Sequence, residues 1–173
     1  MTRYQITPDD SRVWIEARSS LHPIHGEATG LGGELDVEVS GDRLDLSTPP
    51  AMRLQLPVTR LESGNALYDR EMRRRIESRR YPVINGAARE VRELEGGAGR
   101  YHVRGDLTFH GVTRTVDGEI TVSAPGEGTL VIEGEQVFDI RDFDVAPPKI
   151  LTLRVHPEVR VRIRAEARRQ EPE

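Results

Sequence analysis

Most of this chain alternates with a period of two. Val13, Ile15 and Ala17 alternate with Trp14, Glu16 and Arg18, and Leu35, Val37 and Val39 with Asp36 and Glu38. The rhythm returns in Met52, Leu54, Leu56 and Val58, and again in Tyr101, Val103, Gly105, Leu107 and Phe109. It continues through Val116, Gly118, Ile120 and Val122, then through Leu130, Ile132, Gly134, Gln136, Phe138 and Ile140. Val159, Val161, Ile163 and Ala165 close the series between arginines. Successive side chains of a strand point to opposite faces, so each run has one apolar and one polar face. About eight such strands, separated by Gly, Pro and Asp turns, predict an all-β domain over residues 1–173, an antiparallel sandwich or barrel.

Gly105, Gly118 and Gly134 fall where an inward side chain is due. A glycine there marks a bend, a bulge or a close approach, and both a filled barrel and a barrel with room inside need such corners.

One segment breaks the pattern. In ESGNALYDREMRRRIESRRYP, Tyr68, Met72 and Ile76 recur at i, i+4 and i+8, with Ser63 or Asn65 as N-cap and Pro82 beyond the last turn. This predicts one amphipathic helix over Ala66 to Arg79, with Glu71 spaced to pair with Arg75 and Arg73 with Glu77. Met1 to Arg3 and Arg168 to Glu173 are expected to fray.

Composition narrows the chemistry. There is no cysteine, which removes thiol catalysis, zinc ribbons and disulfide frameworks. No apolar run has the length of a signal peptide or a membrane span, and with Met1 at the start this points to a cytoplasmic protein. The net charge of −4 does not suggest nucleic acid or an anionic membrane as partner. Among the 25 basic residues Lys149 is the only lysine, a bias that a GC-rich genome or a need for guanidinium groups would produce. The one dense group is Arg70, Arg73, Arg74, Arg75, Arg79 and Arg80, to be read as a solvated helix face or as an anion site.

The residues that could carry catalysis have structural roles by their spacing. His22 and His25 are three apart, but Pro23 and Gly26 oppose a helix there and no third ligand is near. His110 adjoins a turn and is expected to hydrogen-bond there, while His102 and His156 have no partner by spacing. Asp142 and Asp144 would share a strand face beside Arg141, as a solvated edge. There is neither a GxSxG elbow nor a phosphate loop. The expectation is a protein that is not an enzyme and uses neither cofactor nor metal.

The order of pieces is nevertheless distinctive. YQITPDDSRVWIEARSS opens the chain, HPIHGEATGLGGEL supplies a glycine-marked second strand, Asn65 and Asp69 lie on the helix, and YPVI follows it. GDLTFHGVTRTV and then FDIRDFDV precede the last strand. Together, from about Tyr4 to Ala165, these resemble the YceI-like family, most specifically in the Gly-x-Leu-Thr-aromatic-His-Gly-Val-Thr-Arg stretch. The chain departs from the family pattern at Tyr68, where an arginine is usual, and at Glu71, where a histidine is usual. The aromatic pair that normally follows is missing.

The resemblance implies an extended, lipocalin-like antiparallel β-barrel with a helix at its side or mouth. It also implies an interior tunnel for a polyisoprenoid, prenyl lipid or isoprenoid quinone, and no catalytic residues. On that reading Ile15, Leu54, Leu56, Leu107, Phe109, Phe138 and Ile140 contact the ligand. Arg73, Arg74 and Arg75 would receive an anionic head group. Two other readings stay open at this level. One is a filled barrel acting as an interaction or assembly module for a protein partner or a second copy of itself. The other, remote, is a metal enzyme built on His22, His25 or His110.

Overall fold

The computed structural model describes residues 1–171. The strands in chain order begin β1 (Thr2–Ile6), β2 (Arg12–Ser19), β3 (Pro23–Ala28), β4 (Gly32–Ser40), β5 (Arg43–Asp45), β6 (Ala51–Pro57) and β7 (Leu61–Glu62). After the helix α1 (Ala66–Arg75) come β8 (Val83–Glu93), β9 (Arg100–Phe109), β10 (Val112–Gly126), β11 (Thr129–Asp139), β12 (Lys149–Ile150) and β13 (Leu153–Arg169). The antiparallel order β1-β4-β6-β8-β9-β10-β11-β13 closes when β1 pairs with β13, giving the lipocalin-like barrel of eight strands that the family resemblance implies and choosing the barrel over the sandwich that the alternation also allowed. Closure leaves the barrel strands without free edges at that end.

The long last strand organises the wall. One edge of β13 pairs with β11 from Glu158 to Arg168. Its other edge takes two partners in turn, β2 alongside Val155–Arg164 and β1 alongside Ala167–Arg169. Between them the chain makes a 3-10 turn at Pro8–Asp10, and the wholly buried Ser11 bridges the break. Its Oγ donates to Thr7 O (2.8 Å) and accepts the Glu166 N–H (3.1 Å). At the β2 end the sheet continues into β3 and β7 instead of β1. There, too, β10 pairs only with β9 below Glu119, since its ladder with β11 runs from Glu119 to Gly126.

The two ends are packed differently. At the β1 end, Tyr4, Ile6, Leu35, Val37, Tyr101 and Leu130 form a dry core. Tyr101 is fully buried there, its hydroxyl accepting the Leu44 N–H at 2.9 Å. The inward register is as the alternation predicts, and among the inward glycines Gly105 marks a backbone approach. A Cβ on Gly105 would lie 2.6 Å from Ala87 O, beside the register shift of β8 on β9.

Three local expectations are corrected. The helix stops at Arg75 because Ile76 caps it and Glu77 turns left-handed at φ 49°. Ser78 N–H then bonds Arg73 O and Glu77 N–H bonds Arg74 O, a Schellman closure that spends the last carbonyls. Out of the helix, Glu77 does not meet Arg73; it pairs with Arg80 and lies within hydrogen-bond distance of His110. Secondly, Asp142 and Asp144 do not share a strand. Residues Ile140–Phe143 form a 3-10 turn, Asp144 is left-handed, and Arg141 pairs with Asp139 instead. Thirdly, Thr2, Arg3, Arg168 and Arg169 are strand residues, and Gln170 N–H bonds Arg3 O, so barrel closure holds both tails. Pro172 and Glu173 lie outside the described residues.

Candidate functional site: an apolar cavity under the helix

At the end away from β1 the inward side chains leave a space unfilled between them, a cavity of about 310 Å³. One arc of its wall is Val13, Ile15 and Ala17 of β2, Ile24 of β3, and Val159 and Val161 of β13. Another is Leu54 and Leu56 of β6, Ile84 of β8, Leu107 and Phe109 of β9, and Phe138 of β11. Tyr68 and Met72 of α1 and Ile76 at its C-cap border it as the stripe at i, i+4 and i+8. Polar groups at its border include Gln55, Glu62, Ser63, Asp69, Arg75 and His156.

All seven residues singled out by sequence, Ile15, Leu54, Leu56, Leu107, Phe109, Phe138 and Ile140, line this one cavity. Ile140 does so from the 3-10 turn after β11 rather than from the strand itself. The three arginines separate. Arg75 borders the cavity while its Nε donates to Glu71 Oε1 at 3.0 Å. Arg74 is exposed, and Arg73 reaches Thr59 O at 3.5 Å. Phe143, Val145 and Ile150 line the cavity as well, and the sequence pattern gives no sign of it, because the period-two run ends at Ile140.

Local chemistry holds α1 over the opening. Asn65 is its N-cap, Oδ1 accepting from Leu67 N–H (3.0 Å) and Tyr68 N–H (3.2 Å). Asp69 Oδ1 accepts from Ser63 N–H (2.9 Å) and Oγ (2.6 Å), tying the first turn to the preceding loop. Tyr68 places its hydroxyl 3.4 Å from His22 Nε2. His22 is therefore a contact of the helix, and among the described residues no three His, Asp or Glu side chains converge as a metal site.

A second cluster lies beside the cavity and adjoins its lining through Phe109 and Phe143. His110 (φ 55°) and Gly111 (φ 73°) form the two-residue turn between β9 and β10, with the positive angles such hairpins require. His110 Nδ1 lies 3.0 Å from Phe143 O and Nε2 2.7 Å from Glu77 Oε2. Tyr81 and His110 pack edge to face with ring centroids 5.1 Å apart, and a Cβ on Gly111 would lie 2.6 Å from the Tyr81 ring. Phe143 in turn packs on Phe109, ring centroids 5.7 Å apart. The distinctive segments YPVI, GDLTFHGVTR and FDIRDFDV thus meet at one point, and each depends on the others for its geometry.

The carboxylates with displaced titration are not among the cavity-lining residues. The Arg141 hydrogen bond holds Asp139 below its usual range, Arg3 does the same for Asp36, and Ser47 for Asp45.

The model of the YceI-like domain matches residues 4–167, nearly the whole barrel and every element around the cavity. The chain belongs to the YceI-like family. Solved structures agree at the level of fold. Burkholderia cenocepacia BcnA is similar with a TM-score of 0.76 at 19% identity, over 93% of this chain and 98% of that one. A polyisoprenoid binding domain from Saccharophagus degradans, implicated in plant cell wall breakdown, has a TM-score of 0.77 at 13% identity, over 98% and 100%. The Campylobacter jejuni YceI protein has 0.67 at 14% identity, over 84% and 85%. No curated protein matches the sequence. Within this YceI-like chain, the departures from the family pattern have places. Tyr68 stands on the cavity where an arginine is usual, and Glu71 pairs with Arg75.

Proposed function

We propose that this YceI-like barrel, as one domain, is a non-enzymatic carrier of a long apolar molecule of the polyisoprenoid, prenyl-lipid or isoprenoid-quinone class. The observation that carries the reading is the cavity itself: aliphatic and aromatic side chains from β2, β3, β6, β8, β9, β11, β13 and the helix face a space they do not fill. Burying a chain there stabilises it by about 0.8 kcal/mol per methylene, so many weak contacts suffice without a polar recognition motif. The Saccharophagus domain of the same fold, described as polyisoprenoid binding, supports the class of ligand. Ile15, Leu54, Leu56, Leu107, Phe109, Phe138 and Ile140 are the proposed contacts. Of the arginine group, Arg75 alone borders the cavity, and any head-group contact is assigned to it. A cytoplasmic location, the absence of nucleic acid among its partners and a homodimer are further parts of this reading, each open to fractionation, titration or sedimentation. No helix of the described residues is long and apolar enough to cross a membrane.

The test is native purification, denaturation in organic solvent and mass spectrometry of what is released. A stoichiometric prenyl lipid or quinone would establish the carrier and name its cargo. Nothing released, together with no uptake of added prenyl alcohols by calorimetry, would refute it and return the search to protein partners.

A further inference from the structure

Glycine within a strand is ordinarily explained by a left-handed angle or by backbone too close for a Cβ. Gly33 has both, with φ +140° and a Cβ that would fall 2.0 Å from Arg53 O. Gly105 has the second, and Gly134 is tight against Ile120 at 3.2 Å. Neither explanation covers Gly26 or Gly86. Both lie within strands at negative or extended angles, Gly26 opposite Ile15 and Gly86 between Leu54 and Leu107. A Cβ on Gly26 would find Glu62 O at 3.5 Å and Ile15 Cβ at 3.9 Å. On Gly86 it would find Leu54 Cβ at 3.9 Å and Leu107 Cδ1 at 4.0 Å. These are ordinary contacts, so the backbone would accept a side chain at either place.

What the two share is the cavity, which both border. They also share a pattern. The inward positions of β3 read Ile24, Gly26, Ala28 and those of β8 read Ile84, Gly86, Ala88. Two different arcs of the wall therefore lose their side chain at the middle position of the same series. Glycine weakens a strand, and a cavity of about 310 Å³ is at the small end of ligand sites, which run from roughly 300 to 1,000 Å³. In so narrow a space a missing side chain decides what passes.

We infer that Gly26 and Gly86 are specificity-determining positions, whose absent side chains open the bore and set the length of apolar chain it accepts. The inference rests on the carrier reading, since it concerns the same cavity.

The experiment compares wild type with Gly26→Ala, Gly86→Ala, Gly26→Leu and Gly86→Leu, and with Gly118→Ala as a control that does not border the cavity. Each is titrated with geraniol, farnesol and geranylgeraniol, with circular dichroism and thermal melting to verify the fold. The alanine variants have room for the added methyl group and keep the test valid should a leucine variant fail to fold. The expected result is a selective loss that grows with chain length, of about tenfold or more for geranylgeraniol relative to geraniol in a leucine variant, smaller in the alanine variants and absent in the control. If wild type binds the series and folded variants keep its length preference, the inference is overturned while the carrier stands. If wild type binds none of the three, both fall.

Discussion

The Ser11 hydroxyl accepts the backbone N–H of Glu166 at 3.1 Å, at the point where β13 changes partner from β2 to β1. The strand ladder is interrupted there, and a side chain supplies the missing acceptor. Ser11→Ala would leave that partly buried N–H without its acceptor, at a cost of about 1 kcal/mol. Urea denaturation should show a lowered midpoint with an unchanged slope, and Ser11→Thr should recover part of it. An unchanged midpoint in the alanine variant would mean that water or the backbone replaces the hydroxyl.

Tyr101 does a similar thing in the filled end, where its hydroxyl accepts the Leu44 N–H at 2.9 Å. Tyr101→Phe keeps the ring and removes the acceptor, and should destabilise by about 1–3 kcal/mol. Uptake of apolar ligand, which the carrier reading places at the other end, should be untouched. A change in binding without a change in stability would contradict this division of the barrel.

His110 joins the β9–β10 turn to Phe143 O and to Glu77, whose left-handed angle ends α1. His110→Ala should therefore loosen two segments that border the cavity, residues 76–80 and 140–150, more than the barrel strands. Amide exchange is the measurement, with the Val145 N–H, bonded to Ile140 O at 3.2 Å, as reporter. Uniform acceleration over the whole chain would show that the residue acts on global stability instead.

Asp36 gives a pH dependence with a definite sign. Its carboxylate accepts from Arg3 Nε at 2.8 Å across β1 and β4, and that bond lowers its pKa below the ordinary value. The folded state thus binds the proton less readily than the unfolded chain. The contribution is whole above the usual carboxylate range and fades as pH falls through the folded pKa. Wild type should exceed Asp36→Asn in melting temperature at neutral pH, by a small margin for so exposed a pair, and the margin should close on acidification. A margin that widened in acid would reverse the assignment.

Alternation determined β2, β4, β6, β9, β10, β11 and β13 and their inward faces, because a period of two admits only one side for Leu54, Leu107 or Phe138 once a wall exists, while β1 and β8 were not among the runs it marked. The stripe Tyr68, Met72 and Ile76 likewise announced a helix and the face it would bury. Whether that face closed on a core or on a space was not legible, since the same leucines serve both, and only the distance between opposing walls separates them. Tertiary structure made that choice differently at the two ends, packing Tyr101 and Leu130 where β1 closes the barrel and leaving Ile15 and Leu107 apart where β2 and β3 take its place. It also decided the roles of His110, Ser11 and Gly86, whose partners Phe143, Glu166 and Leu54 are far away along the chain and come near only through strand pairing and the loops it positions. Local pattern reports what a residue's own strand or helix requires. It carries no record of how far away the opposite wall will stand.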